Sequence, residues 1–375
     1  ASPDDVLPQS AFRTRLAYDE LFARQCALRL RRQHRRKEPG RSILGDGRLS
    51  NKLIESLPFA PTGAQRRSVN EIYADMSEPA PMLRLLQGDV GSGKTLVSAL
   101  AMARAAEAGL QSAMMAPTDL LARQHGATLQ PLLEAAGIKM AVLTGRDKAK
   151  DRKLILERMA SGDIHVVVGT HALFQDEVVF KDLGLIVIDE QHRFGVSDRM
   201  RMVAKGFAPH VLVMSATPIP RTLALSIHGD MDLSVLDEKP PGRQPIKTAT
   251  MPTSRISEVI EAVADAVKRG ERAYWVCPLI EESEAVDLPA VLDRHAALQT
   301  YFGKGVEIVH GQMSATAREA AMDRFRSGES FLMVATTVIE VGVNVPEATI
   351  MVIEHAERFG LAQLHQLRGR VGRGD

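Results

Sequence analysis

The run Gly88-Asp-Val-Gly-Ser-Gly-Lys94-Thr95 has the spacing G-x-x-x-x-G-K-[ST] of a phosphate-binding loop. Such a loop needs glycines, because the backbone N–H groups of Gly88, Asp89, Gly91, Ser92 and Gly93 must close around phosphate oxygens without side chains in the way. The loop follows an apolar run and opens a helical pattern, so a helix N-terminus adds partial positive charge. Lys94 is expected to reach the β- and γ-phosphates, and Thr95 to ligate Mg²⁺.

A second set of groups lies about a hundred residues further on. In Leu185-Ile-Val-Ile-Asp189-Glu190 an apolar strand delivers an acid at its carboxyl end, where ligands bind in parallel sheets. Asp189 is expected to hold Mg²⁺ through water, and Glu190 to polarise the attacking water. An Asp-Glu pair after a strand is weak evidence alone and strong evidence after a phosphate loop. A third set, Gln366-x-x-Gly-Arg370-x-Gly-Arg373, stands near the C-terminus. Arginines in such a place can stabilise charge on a transferring phosphoryl group, or can simply form a basic surface helix.

These groups need elements to position them. Residues 11–37 read as one helix, with Phe12, Leu16, Leu21, Phe22, Leu28 and Leu30 at helical spacing, ended by Glu38-Pro39-Gly40. Strands are expected at 81–87, 111–117, 164–168, 183–188 and 210–214, with helices at 94–108 and 119–136. The Pro-Pro-Gly run within 237–245 interrupts this alternation and marks a lobe boundary. Beyond it strands are expected at 273–277, 305–309, 331–335 and 349–353, with helices at 253–269 and 314–327. Alternation of this kind gives an α/β fold with parallel sheets buried on both faces. The expected organisation is a helical linker at 1–57, a nucleotide-binding lobe at 58–238 and a second lobe at 245–375.

Composition narrows the class. The chain has 375 residues, enough for two or three domains, with 45% hydrophobic and 25% charged residues. No apolar run approaches the ~18 residues of a membrane span. The polar, acidic N-terminus excludes a signal peptide, and the missing initial Met suggests a piece of a longer protein. Two distant cysteines, Cys26 and Cys277, suit a reducing cytosol and form no metal cluster. The net charge of +1 announces no polyanion partner. One local basic segment, Arg29, Arg31, Arg32, Arg35, Arg36 and Lys37, is either a solvated helix face or a patch that touches phosphates. The 16 Met residues and Trp275 read as core, and few aromatics are left for base stacking.

The three motifs in this order resemble superfamily 2 helicases, which implies two RecA-like lobes with ATP between them and closure completing the site. Phe59, Thr62 and Gln65 resemble the segment that reads adenine. Pro117, Thr118, Thr170 and His171 resemble segments that grip the strand backbone, as do Thr336 and Thr337. Ser215, Thr217, Gly342 and His192 resemble residues that couple hydrolysis to the strand. Within the superfamily, long stretches resemble the RecG family of branched-DNA translocases: Asp189 to Gly195, Ser215 to Leu223, Val276 to Glu284 and Ile353 to Gly360. That resemblance implies ATP and Mg²⁺ as cofactors and branched DNA, forks and junctions, as partner. It also implies a monomer in the bacterial cytoplasm near the nucleoid, with single-strand-binding protein as a further partner. The family's N-terminal wedge and its helical hairpin after the arginine motif are not found in this sequence. A small-molecule P-loop enzyme, an RNA helicase and a silent nucleic-acid scaffold are the rival readings. The paired arginines argue against the first, the RecG-like stretches against the second and the intact catalytic positions against the third.

Overall fold

The computed structural model describes residues 10–35, 37–145, 147–190, 194, 196–216, 231–238, 246–278, 284–336, 345 and 347–372. The chain divides into two compact units, one of Ala1–Gly88 with Gly93–Glu238 and one of Asp89–Ser92 with Lys239–Asp375. The described part of residues 1–57 therefore groups with the first unit.

The first unit runs α1 (Ala11–Arg35), α2 (Arg48–Glu55), α3 (Gly63–Ser77), β1 (Leu83–Gly88), α4 (Lys94–Glu107), β2 (Gln111–Met115), α5 (Asp119–Ala135), β3 (Met140–Leu143), α6 (Ala149–Ser161), β4 (Val166–Gly169), β5 (Leu183–Asp189), α7 (Val196–Val203), β6 (His210–Ser215) and β7 (Asp232–Leu236). Its strands form one seven-stranded parallel sheet in the order β3-β4-β2-β5-β6-β1-β7. The central strand β5 shows why the run is apolar throughout. Leu185 and Val187 face one core, with α4 and α5, while Ile186 and Ile188 face the other. Each such buried side chain contributes about 1.5–3 kcal/mol.

The helix after the phosphate loop, α4, is buried nearly all round because it lies among α2, α3, α5 and the sheet. Five of its fourteen residues are Ala, which permits that close packing. Glu107 at its end accepts hydrogen bonds from the N–H groups of Gly47, Leu49 and Ser50, and so caps α2 from a distance. A side chain at Gly45 would collide with that carboxylate. In the basic segment, Arg32 pairs with Asp232 of β7, while Arg29 and Arg31 are exposed.

The second unit contains α8 (Ile256–Lys268), β8 (Arg272–Val276), α9 (Glu284–Phe302), β9 (Val306–Val309), α10 (Ala315–Ser327), β10 (Leu332–Ala335), β11 (Ala348–Ile353) and α11 (Leu361–Arg368). Its described strands form a four-stranded parallel sheet, β11-β8-β10-β9. Tyr274 and Val276 face one core and Ala273 and Trp275 the other. Trp275 is fully buried, and its indole N–H donates to Glu354, which also pairs with Arg294.

The expected strands and helices are present, with ends that coincide or differ by at most three residues. Two strands were not expected, β3 and β7, and both lie at the edges of the first sheet. Edge strands are short and partly exposed, so they carry no long apolar run.

Candidate active site

The phosphate loop leaves β1 at Gly88 and enters α4 at Lys94. Gly91 and Gly93 both adopt positive φ, 80° and 89°, conformations that glycine alone reaches without strain. A Cβ at Gly93 would also collide with Gln65. Gln65 is buried, and it is held by a capping box in which its N–H bonds the Thr62 hydroxyl and its Oε1 accepts from Thr62 N–H. The structure thus brings the expected adenine-side residue against the loop. Phe59 is 54% exposed, beside a shallow hollow lined by Leu57, Pro61 and Arg66.

Inside the loop Asp89 accepts from Val90 N–H at 2.7 Å, and Ser92 N–H bonds the Asp89 carbonyl at 3.0 Å. Lys94 Nζ donates to the Gly88 carbonyl at 2.6 Å, so the ammonium is folded back over the loop. α3 and α5 have side-chain caps from Thr62 and Thr118, whereas α4 starts at Gly93 without one. A helix start of this kind suits an anion.

Asp189 ends β5, and its register partner is Met214 of β6. The Glu190 N–H bonds the Met214 carbonyl, with Glu190 in the left-handed region at φ 50°. A non-glycine residue there stores strain that the surrounding sheet must hold, a common feature of working sites. The Asp189 carboxylate is buried and accepts from His125 Nε2 of α5 at 2.7 Å. Burial pushes its pKa up, but His125, nearby Lys94 and the Glu190 N–H outweigh that and hold it below the usual carboxylate range. A carboxylate held towards its charged form, within electrostatic reach of Lys94 at the uncapped start of α4, fits Mg²⁺ with a nucleotide phosphate. His125 was not singled out by sequence reasoning. One signal was present: Gly126 in mid-helix, which usually marks a close approach.

Ser215 ends β6, buried and in register with Gln87. The strand-gripping candidates of the first unit also meet. Thr118 caps α5, and Thr170 donates to Asp119 at 3.1 Å. Pro117 precedes that cap and is half-buried. His171 is exposed and rests on Phe174 and Phe194.

In the second unit Thr336 follows β10, buried, and its hydroxyl has no hydrogen-bond partner among the described residues. Gln366 is buried on α11. Gly369 ends that helix, and the Arg370 N–H bonds the Leu367 carbonyl. His192, Thr217, Thr337, Gly342 and Arg373 lie outside the described residues.

Comparison with known proteins gives this geometry a class. The DEAD/DEAH box helicase model matches residues 62–225, and the helicase conserved C-terminal domain model matches residues 254–375. The chain is a helicase core with two RecA-like parallel-sheet domains. The ATP-dependent DNA helicase RecG of Acidithiobacillus ferridurans is 50% identical over 378 residues, covering 100% of this chain and 55% of that protein. The protein of the same name from Escherichia coli (strain K12) is 49% identical over 366 residues, covering 96% of this chain and 53% of that protein. A solved structure of RecG bound to a three-way DNA junction superposes with a TM-score of 0.80 at 44% identity, covering 97% of this chain and 48% of that one. The chain belongs to the RecG family, and use of a nucleotide goes with that family. It spans about half the length of the curated relatives it matches. No described helix is long and apolar enough to cross a membrane.

Proposed function

We propose that this chain is the ATP-driven motor of a translocase that remodels branched DNA, stalled forks and Holliday junctions, in repair and recombination. One observation carries the reading: Gln65 lies against Gly93, and Lys94 bonds Gly88 and faces Asp189, which precedes Glu190, at the carboxyl end of one parallel sheet. The relatives' name and the junction-bound structure of one of them support branched DNA as the partner.

In this reading the loop N–H groups and Lys94 bind the phosphates of ATP. Thr95 and Asp189 hold Mg²⁺, which supplies charge neutralisation to the phosphate oxygens. Glu190 orients and deprotonates the attacking water, and Gln366, Arg370 and Arg373 supply positive charge and hydrogen bonds to the transferring phosphoryl group. Pro117, Thr118, Thr170, His171, Thr336 and Thr337 hold the strand through its backbone, which gives no sequence preference. The buried hydroxyl of Thr336, which has no hydrogen-bond partner among the described residues, supports its part in this. His192, Ser215, Thr217 and Gly342 couple the two processes.

Residues 1–57 act as a helical linker, 58–238 as the ATP-binding lobe and 245–375 as the second lobe. The motor works as a monomer in the bacterial cytoplasm at the nucleoid, with single-strand-binding protein as a partner. The test is ATP hydrolysis by the 375-residue chain with forked DNA, single-stranded DNA and RNA. Hydrolysis that depends on Mg²⁺ and rises most with forked DNA is expected. No hydrolysis, or stronger stimulation by RNA, would overturn the proposal.

A further inference from the structure

Helix α5 carries a contact at each end of its first half. At its start the Thr118 hydroxyl accepts from Leu121 N–H, and Asp119 accepts from Thr170. Two turns on, roughly 10 Å along the axis, His125 Nε2 lies 2.7 Å from Asp189 Oδ2. The side chains of His125 and Asp189 are 14% and 11% exposed, so water competes little for this bond. The next residue fixes the height of the helix over the sheet. A Cβ on Gly126 would stand 2.5 Å from Val142 Cγ2 of β3, so α5 lies against the sheet with no clearance. A helix packed this tightly moves as a body.

We propose that His125 is a positioning residue which orients the Asp189 carboxylate for Mg²⁺ and ties that orientation to strand occupancy at the N-terminal end of α5. The inference rests on the reading of Asp189 as the Mg²⁺ acid and of Thr118 and Thr170 as strand contacts. A hydrogen bond from an imidazole N–H fixes the plane of a carboxylate and so selects which lone pair faces the metal, as outer partners do at metal sites. When phosphates dock at Thr118 and Thr170, the shift of the α5 start reaches His125 along the rigid helix. Asp189 then changes its fit to Mg²⁺. This route is separate from any path through Ser215, which lies on β6.

The test reads Mg²⁺-dependent binding of a fluorescent ADP analogue to the 375-residue chain, with and without single-stranded DNA. The variants are His125→Ala and His125→Gln, each checked by thermal melting. His125→Ala is expected to need about tenfold more Mg²⁺ for half-saturation. Its Mg²⁺ requirement is expected not to respond to DNA, whereas that of the wild type shifts. His125→Gln keeps an N–H donor at similar reach and is expected to recover both properties. A wild-type Mg²⁺ requirement in His125→Ala, or a DNA response that survives the substitution, overturns the proposal. Absence of Mg²⁺-dependent nucleotide binding in the wild type sinks the motor reading and this inference together.

Discussion

In the first unit the candidate catalytic groups stand at the ends of central strands, whereas in the second they stand on and after a helix that follows an edge strand. Asp189 ends β5, which is paired on both sides by β2 and β6, and Gly88 ends β1, paired by β6 and β7. Each of these strands is held by two ladders, and each end residue by one, Asp189 opposite Met214 and Gly88 opposite Leu236. Arg370 follows α11, and the preceding strand β11 is paired on one side among the described residues. The difference teaches where precision is needed. Metal and phosphate must be held before reaction, within a few tenths of an ångström, by groups that do not move. Groups that act on the transition state can be delivered late, so they can sit on a less constrained element.

Substitutions at the two places should therefore fail differently. The largest effect is expected from the first unit. Lys94→Ala should lose productive ATP binding, with hydrolysis at background, while the fold survives because Lys94 opens α4 and the helix core is built by the residues after it, Leu96 to Ala105. Glu190→Gln should bind ATP and fail to turn it over, with a loss of roughly 10²–10⁴-fold. Steady-state hydrolysis paired with fluorescent nucleotide binding separates the two. Normal turnover by Glu190→Gln would remove Glu190 as the base and weaken the contrast.

The second unit should show the opposite split. Arg370→Ala is expected to lower kcat on the order of 10³-fold, with little change in nucleotide affinity. Equal losses in affinity and kcat would mean that Arg370 binds the ground state. The distinction between a pre-set half and a delivered half would then fail.

How much of this was legible in the sequence depends on the range of the interaction. Residues 183–188 read as a strand because burial on both faces demands an unbroken apolar run. The phosphate loop was legible because its glycines answer a local demand, positive φ at Gly91 and Gly93. β7, Asp-Leu-Ser-Val-Leu, was not, because one side of an edge strand faces outward and dilutes the pattern. His125 was not legible as a partner of Asp189, because 64 residues separate them and the one local sign, Gly126, marks a close approach without naming what lies opposite. The cap on α2 supplied by Glu107 is hidden for the same reason. Roles fixed by backbone conformation show in sequence, and roles fixed by tertiary pairing do not.

The smallest expected effect concerns how the first unit holds its N-terminal segment. His210, at the start of β6, is fully buried. Its Nδ1 accepts from Met82 N–H at 3.0 Å, and its Nε2 donates to the Arg41 carbonyl at 2.7 Å, so the ring is a neutral tautomer that clasps residue 41 to the sheet. Arg41 itself pairs with Asp182, which reinforces the clasp. Burial pushes the His210 pKa down from its ordinary value, and the opposing pull of the Arg41 carbonyl and Asp75 does not restore it. Protonation would also set an N–H on Nδ1 against the Met82 N–H. The unfolded chain takes up the proton first, near the ordinary histidine value of about 6.5. The contribution to stability is therefore complete above that pH and is lost as pH falls below it, by at most about 1.4 kcal/mol per pH unit. His210→Gln can accept and donate in much the same places but cannot titrate. The difference in melting temperature between wild type and His210→Gln should be constant from about pH 8 to about pH 7, and should shrink by about 2–4 °C towards about pH 5. Contributions common to both proteins cancel in that difference. A difference that stays flat across the range would mean that His210 is protonated alike in both states, and that the clasp on Arg41 gives way before the sheet does.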